Sequence, residues 1–273
     1  MSQKVGVLFV HGMGAVMDDY AHDTIQEVRE RISGRGLNRE EIAWESVYWA
    51  PILAPQEAQL WVDLAAERDL NWAKLRKFFV NGFGNTVAYQ TAQERPESIY
   101  NRIHDAIHKS LLGLKAKLGG GDKPLVVIAH WLGTVMISNY IWDRQRGRDE
   151  KRYGATPFER METLAGLVTM GSNIPLFTLG CNPITSIDFP SAELPERFRK
   201  KAKWLNFYDA DDVLGWPLKP LSLSYGDAVT EDVEVSVGNI LTSWNPANHA
   251  AYWTHDSVIK PMAYLIASIL DVA

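Results

Sequence analysis

Hydrophobic positions along the chain follow two rhythms, short unbroken runs and a repeat of three to four residues. Val5 to Val10 is a continuous apolar run closed by His11-Gly12-Met13-Gly14, which predicts a strand buried on both faces, as in a parallel sheet. Tyr20 to Ile32 carries Ile25, Val28 and Ile32 at helical spacing, with Gly34 and Gly36 as stops. Ile42 to Trp49 reads as a second strand ended by Pro51. From Gln56 to Gln90 the chain is helix-favouring and rich in aromatics (Trp61, Trp72, Phe78, Phe79, Phe83, Tyr89), expected as core packing. Glu97 to Leu118 sets Ile99, Ile103, Ile107, Leu111 and Leu114 on one stripe of an amphipathic helix. Pro124 to Ala129 is a further buried strand, followed by a helix over 132–143. Leu164 to Met170 and Trp204 to Tyr208 supply more strands, and His255 to Leu270 closes the chain as a helix. Strands alternating with helices predict an α/β architecture with a mostly parallel sheet. The segment 51–96 breaks that rhythm and is expected to form a helical cap within one domain spanning 1–273.

Composition narrows the classes. The formal net charge of -5 gives no electrostatic reason to expect nucleic acid as a partner. Cys181 is the only cysteine, so the chain forms no internal disulfide and no thiolate metal cluster. No window reaches the roughly 20 apolar residues of a membrane span, and no secretory signal opens the sequence. A cytoplasmic setting is therefore expected.

The chemistry concentrates at Val126-Val-Ile-Ala-His-Trp-Leu-Gly-Thr134, a strand-to-helix junction. Its shape is that of a nucleophile elbow, small-x-Ser-x-Gly, with Ala129 and Gly133 as the small residues around His130 and with Trp131 in the serine's place. On these residues the chain resembles the α/β-hydrolases, and is similar to intracellular bacterial serine esterases and lipases carrying Ala-His-Ser-Leu-Gly-Thr. The resemblance implies a sheet of about six strands, since the family's leading hairpin has no counterpart before Val5. It implies an oxyanion hole from the amides of Met13 and Leu132, with His11, Gly12 and Gly14 shaping the first loop. It implies a triad acid after the strand at 204–208, with Asp211 the first choice on its spacing to Val213 and Asp212 the alternative. The triad histidine would be His249, ahead of His255. The expected substrate is a small apolar ester, with no metal or organic cofactor; the oligomeric state is left open.

Indole has no ionisable nucleophile, so with Trp131 in place the acyl-enzyme route is closed. Four explanations stand side by side. The change from Ser, a single base from TCG to TGG, disables an otherwise complete esterase. Alternatively the chain is a pseudo-hydrolase that binds a ligand or protein, or a His/Asp enzyme needing no nucleophile. Finally, Thr134, Ser138, Ser172 or Cys181 acts instead. The elbow residue is also expected at positive φ, with the ring plugging the pocket.

Overall fold

The structure, a computed structural model, describes residues 3–12, 17–65, 71–90, 98–154, 156–237 and 248–273. Six strands form one sheet in the order β2-β1-β3-β4-β5-β6, every neighbouring pair parallel. They are β1 (Val5–Val10), β2 (Ile42–Val47), β3 (Leu125–His130), β4 (Leu164–Met170), β5 (Lys203–Tyr208) and β6 (Glu231–Glu234). The first five match the strands expected from the sequence. β6, with the sequence Glu-Asp-Val-Glu, carries no such run and forms an unforeseen edge.

Alternate side chains of the buried strands feed two cores, one on each face. Val5, Val7, Phe9, Val126 and Ile128 pack with α1 (His22–Ser33) and α11 (Asp256–Leu270). Leu8, Val10, Leu125, Val127 and Ala129 pack against α5 (Ile99–Leu118) and α6 (Leu132–Gln145). Both faces are covered, which is why these strands are apolar at every position rather than at alternate ones. The single-turn helices α7 (Glu150–Tyr153), α8 (Ile174–Phe177), α9 (Glu196–Arg199) and α10 (Leu223–Ala228) lie in the connections.

Between β2 and α5 the described residues form α2 (Ala54–Ala65), α3 (Ala73–Phe79), a π-helical turn at Val80–Gly84, and α4 (Asn85–Gln90). The aromatics there depart from the expected core packing. Tyr89 is fully buried, but Trp72 is 77% and Phe79 50% exposed, and Phe83 is also exposed. The Phe78 side chain lies outside the described part of the structure. Helical spacing places these rings along the helices without saying that several face away from the sheet.

The topology fixes where a ligand can sit. The chain runs from β1 to β2 on one side and returns to β3 on the other, so β1 and β3 are neighbours with diverging connections. Crevices at the carboxyl ends of parallel strands open at such a switch point. The loops leaving β1 and β3 hold His11-Gly12 and Trp131.

Candidate active site

Trp131 is the single residue between β3 and α6, with φ 48° and ψ −120°. A bulky residue at positive φ is uncommon and costs of order 1–3 kcal/mol. The surroundings enforce it. The Trp131 N–H donates to Met170 O at 3.0 Å, and its carbonyl accepts from Thr134 N at 2.9 Å and Thr134 Oγ1 at 2.5 Å. Gly133 follows because a Cβ there would stand 2.6 Å from the carbonyl oxygens of Val10 and His11. The indole is 1% exposed. It stands edge-on to the His249 ring, with centroids 5.6 Å apart and planes at 80°.

His249 lies on the short helical turn Asn248–Trp253 and is buried. Its Nδ1 donates to Asp212 Oδ2 at 2.7 Å. In the neutral imidazole that bond puts the proton on Nδ1 and leaves a lone pair on Nε2. Among the described residues Nε2 is buried and has no hydrogen-bond partner. Gly171, at φ +52°, makes room for the ring: a Cβ there would meet His249 Cε1 at 2.5 Å.

The carboxylate that reaches His249 is Asp212, not Asp211. A tight turn after β5 sets the phase. Asp209 Oδ1 accepts from Asp211 N at 2.9 Å, Asp211 faces solvent, and Asp212 swings inward. Asp212 Oδ1 accepts from Leu214 N at 3.0 Å, and Oδ2 also accepts from Tyr252 Oη at 3.0 Å. Burial pushes the Asp212 carboxyl up, but the hydrogen bond and charge of His249, with the Leu214 amide and Tyr252, outweigh it and hold it below the usual aspartate value. Tyr252 was not foreseen. Its hydroxyl accepts from Asp209 N at 2.8 Å while donating to Asp212, and burial, then the Asp212 charge, raises its pKa.

His130 supports from behind: its Nε2 donates to the His249 carbonyl at 2.9 Å, and the rings lie 4.5 Å apart. Burial, then the neighbouring His249, lowers its pKa well below the ordinary histidine value. His11 stacks on Trp49 at 4.7 Å and accepts the Trp49 Nε1–H on its carbonyl at 2.8 Å, so it shapes the first loop rather than facing Asp212. Leu132 opens α6, where a first-turn amide has no intrahelical acceptor. Gly12 is buried in the loop after β1, whereas Met13 and Gly14 lie outside the described residues. His255 caps α11, its Nδ1 2.7 Å from Ser257 Oγ, away from the Asp212 pair.

The other hydroxyl and thiol groups sit elsewhere. Thr134 Oγ1 and Ser172 Oγ are buried against each other at 2.9 Å. Ser138 and Cys181 line a separate groove beside Trp142 and Tyr225. No three His, Cys, Asp or Glu side chains cluster as a metal site among the described residues. No described helix is long and apolar enough to cross a membrane.

A six-stranded, wholly parallel sheet in this order, flanked by helices on both faces, is an α/β fold of the α/β-hydrolase kind. No protein-family model matches the chain, and no curated protein matches it in sequence. Among solved structures, it is similar to one described as belonging to two fungal esterases from Rhizomucor miehei. The identity is 12% and the TM-score 0.46, over 99% of this chain and 76% of that one. A likeness that distant says nothing of activity.

Proposed function

We propose that the chain is a serine-esterase-type scaffold, built for hydrolysis of a small apolar carboxylic ester through an acyl-enzyme, with its nucleophile position filled by Trp131. One observation carries this: His249 Nε2, beside Trp131, is buried and has no hydrogen-bond partner among the described residues. A buried polar atom without a partner costs roughly 1–3 kcal/mol. Asp212 meanwhile fixes the tautomer that leaves that atom a base. The arrangement is what a hydroxyl at position 131 needs and what an indole cannot use.

In this reading His249 takes the nucleophile's proton, Asp212 orients His249 and stabilises its charged form, and Tyr252 and Asp209 hold Asp212 in place. The amides of Leu132 and Met13 receive the oxyanion. On this reading the chain as it stands is inactive or nearly so. The test pairs it with Trp131→Ser on p-nitrophenyl acetate and butyrate. Hydrolysis by the variant alone supports the reading; a folded but inert variant overturns it.

A second reading, a ligand-binding module without catalysis, is favoured by an apolar cleft on the cap. Trp61, Leu64, Trp72, Leu75 and Phe79 line it, with a volume of about 730 Å³ and Arg76 at its rim. That volume lies in the range of small-molecule sites.

A further inference from the structure

The indole of Trp131 fills the space between the end of β3 and the helical turn Val80–Gly84. It leaves the elbow through Cβ, as a serine hydroxyl would, and its far edge lies under the π-helical turn Val80–Gly84. A methyl group on Gly82 would stand 2.6 Å from Cη2 and 3.5 and 3.6 Å from Cζ3 and Cζ2. The bare backbone of Gly82 therefore forms the end wall against which the ring abuts. His249 forms a side wall. What fills the space is flat, buried and of one ring system's length.

An acylated hydroxyl at this position places beyond its Cβ an oxygen, a carbonyl group and the acyl substituent. For a benzoyl group that string has the same number of heavy atoms as indole and is nearly planar too. A long alkyl chain overruns the wall at Gly82. We propose that the slot between Gly82 and His249 is an acyl pocket for planar aromatic acids, making aryl-carboxylic (benzoyl-type) esters the substrate class. This rests on the esterase reading above. The hydroxyl introduced by Trp131→Ser adds to the ester carbonyl carbon while its proton passes to His249 Nε2. The bond to the alcohol oxygen then breaks and the alcohol takes that proton. Water, giving a proton to the same nitrogen, cleaves the aroyl ester, and that proton returns to the hydroxyl as the aromatic acid leaves.

The experiment compares p-nitrophenyl acetate, benzoate and decanoate on the Trp131→Ser variant. Acetate turnover reports the nucleophile whatever the pocket prefers. Expected is a kcat/KM for benzoate at least about tenfold above that for decanoate, and a fall of about tenfold in the benzoate-to-acetate ratio when Gly82→Leu is added. Equal or better decanoate turnover, or an unchanged ratio with Gly82→Leu, overturns the proposal. If acetate is untouched, the esterase reading fails, and the slot is tested by binding. Trp131→Gly should then bind benzamide in calorimetry and lose it with Gly82→Leu added, as apolar cavities of roughly 150 Å³ take benzene-sized ligands. Absence of binding by Trp131→Gly overturns the pocket.

Discussion

The contact between Trp131 and Gly82 predicts that one substitution changes the sign of its effect with its neighbour. In the parent chain, Gly82→Ala puts a Cβ 2.6 Å from Trp131 Cη2, about 1 Å inside ordinary carbon contact. The indole cannot turn aside, because it is 1% exposed and its backbone is pinned at the elbow by Met170 and Thr134. The cap turn must lift, at a cost of about 1–3 kcal/mol for overpacking. In the Trp131→Ser background the obstacle is gone. Gly82 is in a helical turn without positive φ, so alanine there gains about 0.5–1 kcal/mol from a less flexible unfolded chain. The two backgrounds should differ by roughly 1.5–4 kcal/mol, toward and beyond the upper end for residues in direct contact. Guanidinium unfolding of the four chains, followed by far-UV circular dichroism, reads the difference without depending on the fluorescence of the tryptophan removed. Equal effects of Gly82→Ala in both backgrounds would refute the reasoning, and so would stabilisation of the parent.

Two further outcomes follow from the site and its surroundings. In the Trp131→Ser background, Asp212→Asn should cut kcat by about 10³–10⁴-fold through the wrong His249 tautomer, while Asp211→Asn stays within about threefold; comparable losses would return the orienting role to Asp211. Stability should also fall on acidification. Burial, then Arg144 and Arg152, lowers the pKa of His104, and burial, then His249, lowers that of His130. The native state keeps both neutral while the unfolded chain takes up protons below about pH 6.5, so their contribution is complete above that pH and lost beneath it. The slope approaches about 1.4 kcal/mol per pH unit for each histidine, and a urea midpoint unchanged between about pH 7.5 and 5 would contradict it.

Much of this was legible in the sequence because burial on two faces leaves no choice of residue type. β1, β3 and β4 are buried at every position and almost wholly apolar, and the small residues around Trp131 mark a turn that larger ones would block. The aspartate that meets His249 is the alternative Asp212 rather than the first choice Asp211, because the phase of the turn depends on the Asp209 carboxylate accepting the Asp211 amide, a bond that spacing to Val213 does not encode. Tyr252 gave no signal: its role comes from a helical turn that brings it beneath Asp212. β6 is a strand because β5 pairs with it and because Asp232 is anchored inward, accepting from Asn206 Nδ2 at 2.7 Å and from the amides of Leu218 and Lys219. Its own composition argues against strand.

That acidic strand also bears on how copies of the chain meet. A parallel sheet must end somewhere, and its last strand offers unpaired amides and carbonyls as a template for another chain. Here the template is four residues long, with Glu231 and Glu234 both exposed. A second molecule adding its own β6 edge would bring like charges face to face across the new ladder, which opposes pairing. Repulsion thus opposes growth of the sheet on that side, and crowded copies are steered away from runaway edge-to-edge assembly there.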